Sequence, residues 1–373
     1  MFFDHAAGSP LRPEVARTMI EVLEHQVPNP SGAHRAARAS ASLLESAREV
    51  VAGQLGVSPR QIVFTSGGTE ACGLAFGVQP SHGPIALSTI EHVAIAAPAR
   101  RRSAEGAELR WLDVDAQGVL DVEAAVGRIA SGSVVAVMAA NNETGAIQPI
   151  AELRAGLQDR GSEVTLICDA IAAAPTEDLR SIVAAADLVA IAGHKLGGPA
   201  GAGVLVVGPS VALDAVLVGG AQEGERRAGT QNVAAAVGLA VALELASQDR
   251  ATGRVAALRE RRDLMQRSIL DRLSTATVTS STTPRLPGHL HLTIEGLKSE
   301  ELLFALDQRG VAASAGAACA SGAPQASHVL VAMGMDPGVA RGALRLTLST
   351  STSDADARRA ADLVVEAADS LRG

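Results

Sequence analysis

The sequence of 373 residues contains no tyrosine, only 2% aromatic residues and only two lysines among its 32 basic residues. The lysines are Lys195 and Lys298, whereas arginine and alanine are used freely throughout. In such a background a lysine is expected where its own chemistry is needed, because the guanidinium of arginine stays protonated and cannot act as an amine nucleophile. The rarity of lysine therefore favours a chemical role for Lys195, before any motif is considered.

Other absences exclude whole classes of protein. Cys72, Cys168 and Cys319 lie far apart without a CxxC pair, which argues against a disulfide framework or a zinc site. No apolar run is long enough to span a bilayer, and the N-terminus lacks the regions of a signal peptide. A net charge of −8 argues against broad nucleic-acid binding. We therefore expect a cytoplasmic protein with no direct nucleic-acid or membrane partner.

The pattern of apolar residues predicts an α/β fold. Between residues 60 and 210, short apolar runs alternate with helical periodicity, which is typical of a mostly parallel sheet covered by helices on both faces. The predicted strands are 62–65, 85–88, 109–113, 134–139, 164–169, 188–192 and 204–207. The predicted helices of this part are 37–55, 69–76, 122–129 and 150–159.

The remainder of the chain predicts a smaller α+β domain. A long amphipathic helix over 255–273 is expected to link the two parts. Beyond it the pattern indicates a strand at 289–294, a helix at 299–308, a Gly/Ala/Ser-rich loop at 312–326, a strand at 343–348 and a helix at 354–371. We expect a large domain over 12–254 and a small domain formed by 1–11 with 255–373.

Chemically active side chains follow several of the predicted strands. Ser66-Gly67-Gly68-Thr69, Asn141-Asn142-Glu143, Asp169 and His194-Lys195 each stand where a strand ends. Because open parallel sheets bind ligands at the carboxyl ends of their strands, these segments are expected to form one site.

The glycines before Thr69 suit an anion, because backbone N–H groups and the dipole at a helix start favour phosphate. A carboxylate at Asp169 could pair with a protonated ring nitrogen and so keep the ring an electron sink, as pyridoxal 5′-phosphate (PLP) chemistry needs. A glycine turn with a threonine cap, and a capping or surface aspartate, are the structural alternatives.

Lys195 is followed by the Gly-rich turn 196–201. An imine-forming lysine needs a depressed pKa, which partial burial and a neighbouring cation supply. His92, after the strand at 85–88, could stack on a cofactor ring and transfer protons. A surface lysine and a capping or surface histidine are the alternatives.

Cys319 lies in the small-residue stretch 314–322, which predicts a lightly packed loop and a nucleophilic thiol that travels. Arg345, on the predicted strand 343–348, could clamp a substrate carboxylate with two parallel hydrogen bonds. A tolerated surface cysteine and a solvated arginine are the alternatives.

Taken together, these segments resemble the cysteine desulfurases of the NifS/IscS type, which are class-V, fold-type-I PLP enzymes. The resemblance runs almost end to end, and all four asparagines fall within its motifs. The matching segments are 3–7, 29–31 with His34, 65–70, 91–92, 141–145, 169–170, 194–199, 222–223, 227–232, 318–322 and Arg345.

The resemblance implies a PLP-dependent transferase of fold type I, with a mostly parallel seven-stranded sheet between helices and a smaller α+β domain. It also implies a homodimer that converts L-cysteine to L-alanine. Cys319 would attack the substrate sulfur, keep it as a persulfide and pass it to a sulfur-acceptor protein for iron–sulfur cluster assembly or thiolation.

The family also implies roles for matching positions. Lys195 would form the Schiff base with PLP, Asp169 would pair with its ring nitrogen, and His92 would stack on the ring. The phosphate would be held by Gly68, Thr69, His194 and, from the other subunit, Thr230. Asn142 and Arg345 would bind the substrate carboxylate, with Asn142 also near the cofactor.

The sequence departs from the family beside these residues. Ala172 stands where a glutamine usually bonds the phenolic oxygen of PLP, and Ala192 where a serine usually bonds its phosphate. Cys72 and Gly73 replace two asparagines. A lost hydrogen bond to a charged group costs about 1.5–3 kcal/mol, so we expect weaker PLP retention or altered electronics of the cofactor.

Two other functions stay open at this point. The two alanines motivate a different class-V activity, such as a selenocysteine lyase, a β-lyase or an aminotransferase. A non-catalytic scaffold for a sulfur-transfer partner is the third hypothesis. A Rossmann-type binding module is disfavoured, since no GxGxxG follows the first strand.

Overall fold

The computed structural model describes residues 1–25, 27–78, 83–316 and 326–372. Its central feature is a seven-stranded sheet with the order β1-β7-β6-β5-β4-β2-β3. The strands are β1 (Ile62–Thr65), β2 (Ile85–Ser88), β3 (Leu109–Leu112), β4 (Val134–Ala136), β5 (Thr165–Asp169), β6 (Leu188–Ala192) and β7 (Gly203–Val207). The predicted mostly parallel sheet of seven strands is therefore confirmed, with each predicted strand recovered and some ends shifted.

Only β7 runs against its neighbours, pairing antiparallel with both β1 and β6. Parallel neighbours need a crossover of a dozen or more residues, whereas antiparallel strands accept a short link. The connection from β6 to β7 is a tight turn through a single 3₁₀ helix, Gly193–Lys195. Lys195 ends this 3₁₀ helix and so lies three residues beyond the carboxyl end of β6.

Helices cover both faces of the sheet, as the sequence predicts. One face packs against α1 (Pro13–Glu24), α2 (Arg35–Leu55), α5 (Val122–Arg128), α6 (Ile150–Asp159), α7 (Leu179–Ala185) and α8 (Val233–Ala251). The other face packs against α3 (Gly68–Ala75) and α4 (Val93–Ala104). Successive strand residues alternate between the two cores, since Val135 and Val137 join one and Val134 and Ala136 the other.

A second sheet, with the order β10-β9-β8, is antiparallel throughout. Its strands are β8 (Ala276–Val278), β9 (His289–Ile294) and β10 (Ala343–Thr347), accompanied by α9 (Arg254–Leu270), α10 (Ser299–Gln308), α11 (His328–Ala332), α12 (Pro337–Ala340) and α13 (Asp354–Ser370). Phe3 belongs to its core, and Phe2 and Asp4 form bridges to Ala312 and Thr347. These contacts support the proposal that 1–11 joins 255–373 as a domain, and the boundaries stay a prediction.

The sequence pattern missed α1, α4, α7 and α8 around the large sheet, and α11, α12 and β8 beside the second sheet. Helix α8 is alanine-rich and buried along most of its length, so it has no polar face that would show a helical period. Helix α4 contains Pro98 in its interior, and a proline within a segment ordinarily predicts that the segment is not helical. In the described part of the chain, no helix is both long and apolar enough to cross a bilayer.

A buried ion pair fastens the segment before α8 to the sheet. The carboxylate of Glu223 accepts hydrogen bonds from Arg48 Nη1 (2.7 Å) and Nη2 (2.9 Å) and from Phe64 N (2.9 Å). The Glu223 side chain is fully buried, although its φ of 50° is a left-handed backbone conformation. The pair fixes the 3₁₀ turn Gln222–Glu225 against α2 and β1.

We expect Glu223→Gln to lower the free energy of unfolding by about 3–5 kcal/mol, because it removes the fully buried counter-charge of the Arg48 guanidinium and leaves only the exposed Glu45. Urea denaturation measures this loss. Glu45→Gln is the matched control, since Glu45 pairs with the same Arg48 from an exposed position and should cost about 0–1 kcal/mol. Equal losses for the two variants would contradict the assignment.

Candidate active site

The carboxyl edge of the large sheet brings together the side chains that the sequence singles out. His92 follows β2, Asp169 ends β5, and Lys195 follows β6. The charges of Asp169 and Lys195 both act on the pKa of His92, so the three groups share one environment. The expected convergence at this edge is therefore observed.

Lys195 is largely withdrawn from solvent and points at the N-terminal segment. Its Nζ donates hydrogen bonds to the main-chain oxygens of Ala6 and of Ala7, the latter at 2.7 Å. Burial lowers the pKa of Lys195 to about 8, and the Arg345 charge adds to this, while Asp4 and Asp169 oppose it. The surface-lysine alternative is wrong, and a substantial neutral fraction makes the amine a nucleophile.

Asp169 is a buried carboxylate at the floor of the site. Its Oδ1 accepts the N–H of Ile171 (2.9 Å), and burial raises its pKa against that bond and the charges of His92 and Lys195. Cys72, predicted only as a departure from the family, is a fully buried thiol on α3 that is hydrogen-bonded to Asp169. Burial raises the pKa of the Cys72 thiol well above its ordinary value, so it stays protonated and able to donate.

His92 is also the N-cap of α4. Its Nδ1 accepts the N–H of Ala94 (3.1 Å), which leaves the proton of the neutral ring on Nε2. Burial lowers the pKa of His92, and this favours the neutral ring at pH 7. His92 therefore does cap α4, as the capping alternative states, and this hydrogen bond fixes the tautomer of the His92 ring.

The start of α3 packs closely against Ile171, which follows β5, and against Ala192 at the end of β6. A Cβ on Gly68 would stand 2.3 Å from Ile171 Cδ1 and 3.3 Å from Ala192 Cβ. The first N–H groups of a helix have no intrahelical acceptor, so the end at Gly68 and exposed Thr69 is suited to a phosphate.

The other two residues predicted to bind phosphate, His194 and Thr230, do not lie on α3. His194 follows β6, and Thr230 lies in the stretch before α8. Burial lowers the pKa of His194 to about 4, so this half-buried ring is neutral at pH 7. Thr230 is exposed, and its Oγ1 accepts a long hydrogen bond from Asn29 Nδ2 (3.4 Å).

Arg345 is buried on β10 and joins the second sheet to the site. Its Nη2 pairs with Asp4 Oδ1 (2.7 Å), and its Nη1 donates to the main-chain oxygens of Asn142 (2.9 Å) and Gly316 (3.3 Å). Its Nε is buried without a hydrogen-bond partner among the described residues. The solvated-arginine alternative is therefore wrong, and a carboxylate approaching Arg345 would compete with Asp4.

Several buried groups around the site were not selected as site residues. Burial raises the pKa of Glu91 to about 8, against hydrogen bonds from Ser88 Oγ (2.6 Å) and Met138 N (2.8 Å). Burial and then the Arg345 charge lower the pKa values of His289 and His291 on β9 to about 3. The sequence could have indicated Glu91, because it precedes His92 in the segment 91–92 that matches the family. No local sequence pattern indicates a role for His289 or His291.

A cavity of about 600 Å³ opens beside the lysine, between the large sheet and the ends of β9 and β10. Lys195, Ala172 and His289 are among the residues that line it. The volume suits a small molecule, but Asp169, His92, Thr69 and Arg345 are not among the lining residues, so the cavity borders Lys195 without enclosing the other site residues. Among the described residues, no three or more His, Cys, Asp or Glu side chains are grouped to hold a metal ion. Cys319 lies outside the described residues.

Comparisons with known proteins agree with one another. The family model for class-V aminotransferases matches residues 1–359. The chain is 35% identical to an IscS-like cysteine desulfurase of Mycobacterium tuberculosis, over 97% of this chain and 95% of that protein. It is 32% identical to a cysteine desulfurase IscS of Dictyoglomus turgidum, over 100% and 95%. A solved NifS-like protein superposes with a TM-score of 0.91 at 27% identity, over 100% of both chains.

The lowered pKa of Lys195 predicts its chemical reactivity. In the cofactor-free protein, we expect its reductive methylation by an aldehyde to rise with pH and to reach half its maximum near pH 8. Mass spectrometry of the peptides measures this profile. Lys298, the only other lysine, is exposed and gives the reference in the same sample. Coincident profiles for the two lysines would contradict the prediction.

Proposed function

This chain belongs to the class-V aminotransferase family, and from that premise we propose that it is a PLP-dependent cysteine desulfurase. It would convert L-cysteine to L-alanine and leave the sulfur on Cys319 as a persulfide. The observation that carries the proposal is a lysine amine of lowered pKa beside a buried carboxylate at the carboxyl edge of the large sheet, with a buried arginine of the second sheet acting on the same amine. The names of the relatives, cysteine desulfurases and NifS-like proteins, support the same reaction.

The residues at this edge fit the cofactor. Bound PLP supplies an aldehyde for amines and a ring that withdraws electrons from the substrate. Lys195 would be the amine that holds it, and Asp169 the counter-charge of its ring nitrogen, since a buried carboxylate is stable only beside a positive or hydrogen-bonding partner. The start of α3 at Gly68 and Thr69, with His194, would hold the phosphate, and His92 would cover the ring.

The protein side chains have distinct tasks in the reaction. Lys195, with its pKa near 8, can both accept and return a proton at Nζ near neutral pH. Arg345 and Asn142 would hold the substrate carboxylate, and the Arg345 charge also favours the neutral amine of Lys195. Asp4 keeps this guanidinium paired before the substrate arrives.

Sulfur transfer needs no external oxidant. The thiolate of Cys319 attacks the sulfur of the bound cysteine, and an S–S bond forms as the Cβ–S bond breaks. The electron pair of that bond remains on the substrate carbon, which takes up a proton and leaves as alanine. A sulfur-acceptor protein would then remove the sulfur for iron–sulfur cluster assembly or thiolation.

We further propose a homodimer in which Thr230 reaches the phosphate of the other subunit. An apolar segment, Val216, Leu217 and Val218, is exposed, with Val218 at 85%. The N–H of Ala228 donates to Leu217 O (3.1 Å), which ties this segment to the stretch that precedes Thr230. Contiguous exposed apolar residues mark interaction sites. The cytoplasmic location and the lack of nucleic-acid or membrane partners stay predictions from composition.

The role of Cys319 is tested by Cys319→Ala. We expect the variant to bind PLP with an unchanged visible spectrum and to release neither alanine nor sulfide from L-cysteine, because the sulfur has no thiolate to accept it. Alanine is measured by chromatography and sulfide colorimetrically, with Cys168→Ala as the control for a buried cysteine. Retained desulfuration would contradict the proposal, and selenide release from selenocysteine alone would favour the lyase alternative.

The dimer is tested by Val218→Asp. A charge in an apolar interface should raise the dissociation constant of the dimer by about tenfold or more, measured by analytical ultracentrifugation. PLP occupancy should fall with the dimer fraction, because Thr230 is then withdrawn. Val339→Asp is the control at an exposed valine of α12. A monomeric wild-type protein, or an undisturbed Val218→Asp dimer, would contradict the assignment.

A further inference from the structure

We propose that Glu91 is a positioning residue for PLP binding, because its buried carboxyl group ties the turn that carries His92 to the chain that lies beside Asp169. The proposal rests on the proposed function, in which His92 covers the cofactor ring and Asp169 pairs with the ring nitrogen. It adds a residue that acts through these two side chains and not on the cofactor itself.

The carboxyl group of Glu91 joins the end of β2 to the chain that follows β4. Its Oε1 accepts hydrogen bonds from Ser88 Oγ (2.6 Å) and from Met138 N (2.8 Å). Ser88 is the last residue of β2, and Met138 lies two residues beyond the end of β4. The first bond closes the short turn 88–91, which His92 follows directly, and the second fixes this turn against the extension of β4.

The neighbouring peptide groups carry this connection on to Asp169. Strand β4 lies between β2 and β5 in the sheet. Beyond β4, Val137 N donates to Ile167 O (3.0 Å) and Ala139 N donates to Asp169 O (2.8 Å), so this chain stays bonded to β5. The N–H of Met138, between them, points to the other side, where the ladder with β2 has ended at Leu87 and Glu91 supplies the acceptor. Glu91 thus completes the link from His92 to Asp169.

The His92 ring follows the main chain of the turn. Its Nδ1 accepts the N–H of Ala94 (3.1 Å), which ties the ring to the first turn of α4. On the other side of Glu91, Ile90 O accepts a hydrogen bond from Asn141 Nδ2 (3.3 Å). A movement of the turn therefore displaces the ring, and a site residue keeps its productive geometry only if the groups that support it are themselves fixed.

Burial keeps Glu91 in its neutral form. Glu91 is 2% exposed, and its Oε2 is buried without a hydrogen-bond partner among the described residues. An ionised carboxylate with one bare oxygen is strongly disfavoured in such a place. Burial raises the pKa of Glu91 to about 8, against the bonds from Ser88 and Met138, and the Asp169 charge adds to the rise. Glu91 therefore holds the turn without placing a second negative charge beside Asp169.

The test compares Glu91→Ala, Glu91→Gln and Ser88→Ala with the wild type. Titration of the cofactor-free protein with PLP gives the dissociation constant of the cofactor. Circular dichroism in the absorbance band of bound PLP reports how the ring is oriented. Amide hydrogen exchange at Ala94 in the cofactor-free protein reports on the hydrogen bond to His92 without any cofactor.

We expect Glu91→Ala to raise the dissociation constant of PLP by about tenfold, because the N–H of Met138 loses its acceptor and the turn is released. The dichroic band should weaken, and exchange at Ala94 should become faster. Ser88→Ala should change each measurement in the same direction but less, since it removes one of the two bonds. Glu91→Gln should stay within about twofold of the wild type, because its amide oxygen accepts both bonds and the replaced acid is neutral.

Asp187→Ala is the matched control. Asp187 Oδ2 accepts the N–H of Leu166 (2.7 Å), so this variant also takes a carboxyl group away from a main-chain N–H of the same sheet, but near the amino end of β5. It should lower the stability of the protein and leave the dichroic band and the exchange at Ala94 unchanged. Changes equal to those of Glu91→Ala would overturn the positioning role.

A wild-type affinity and dichroic band in Glu91→Ala would also overturn the role, and so would a Glu91→Gln variant as weak as Glu91→Ala. Where Glu91→Ala does not fold, Ser88→Ala decides, and a wild-type band in that variant counts against the proposal. The failure of the proposed function is distinguishable. An unmodified protein that binds no PLP overturns both proposals, whereas one that binds PLP without desulfurating L-cysteine overturns the function and leaves the role of Glu91 in place.

Discussion

The guanidinium of Arg345 is the contact on which the site depends. From the second sheet it pairs with Asp4, and it donates to the main chain at Asn142 and Gly316. These partners lie 341, 203 and 29 residues away in the sequence, so a single buried cation joins the N-terminal segment, the loop after β4 and the main chain at Gly316. The same charge lowers the pKa of Lys195.

Burial and mutual compensation explain why these groups act together. Desolvation pushes Lys195 and Asp169 towards their neutral forms, and each counters this in the other through its charge. A site built in this way is sensitive to every member, because removing one charge shifts the proton affinity of the rest. The lysine is therefore primed as a nucleophile by its packing, and the carboxylate is ready for a cationic ring.

Three small residues, Ala192, Ala172 and Cys72, lie at or beside this edge of the large sheet. Ala192 packs 3.3 Å from the Cβ position of Gly68, and Ala172 lines the cavity beside Lys195. Cys72 is hydrogen-bonded to Asp169. The buried carboxylate of Asp169 thus has a thiol partner.

The sequence by itself determined the α/β class, the strands of the large sheet and the edge at which Lys195, Asp169 and His92 meet, because strand periodicity and the carboxyl-end rule depend only on local pattern and topology. Tertiary structure alone decided that Asp4 pairs with Arg345, that Cys72 lies under Asp169 and that Glu143 bonds Ser327, 184 residues away. The buried helix α8 escaped prediction for a related reason, since it has no solvent face to mark its period. Such contacts follow from how two sheets and their helices pack, and no local pattern encodes the distance between residues that meet only on folding.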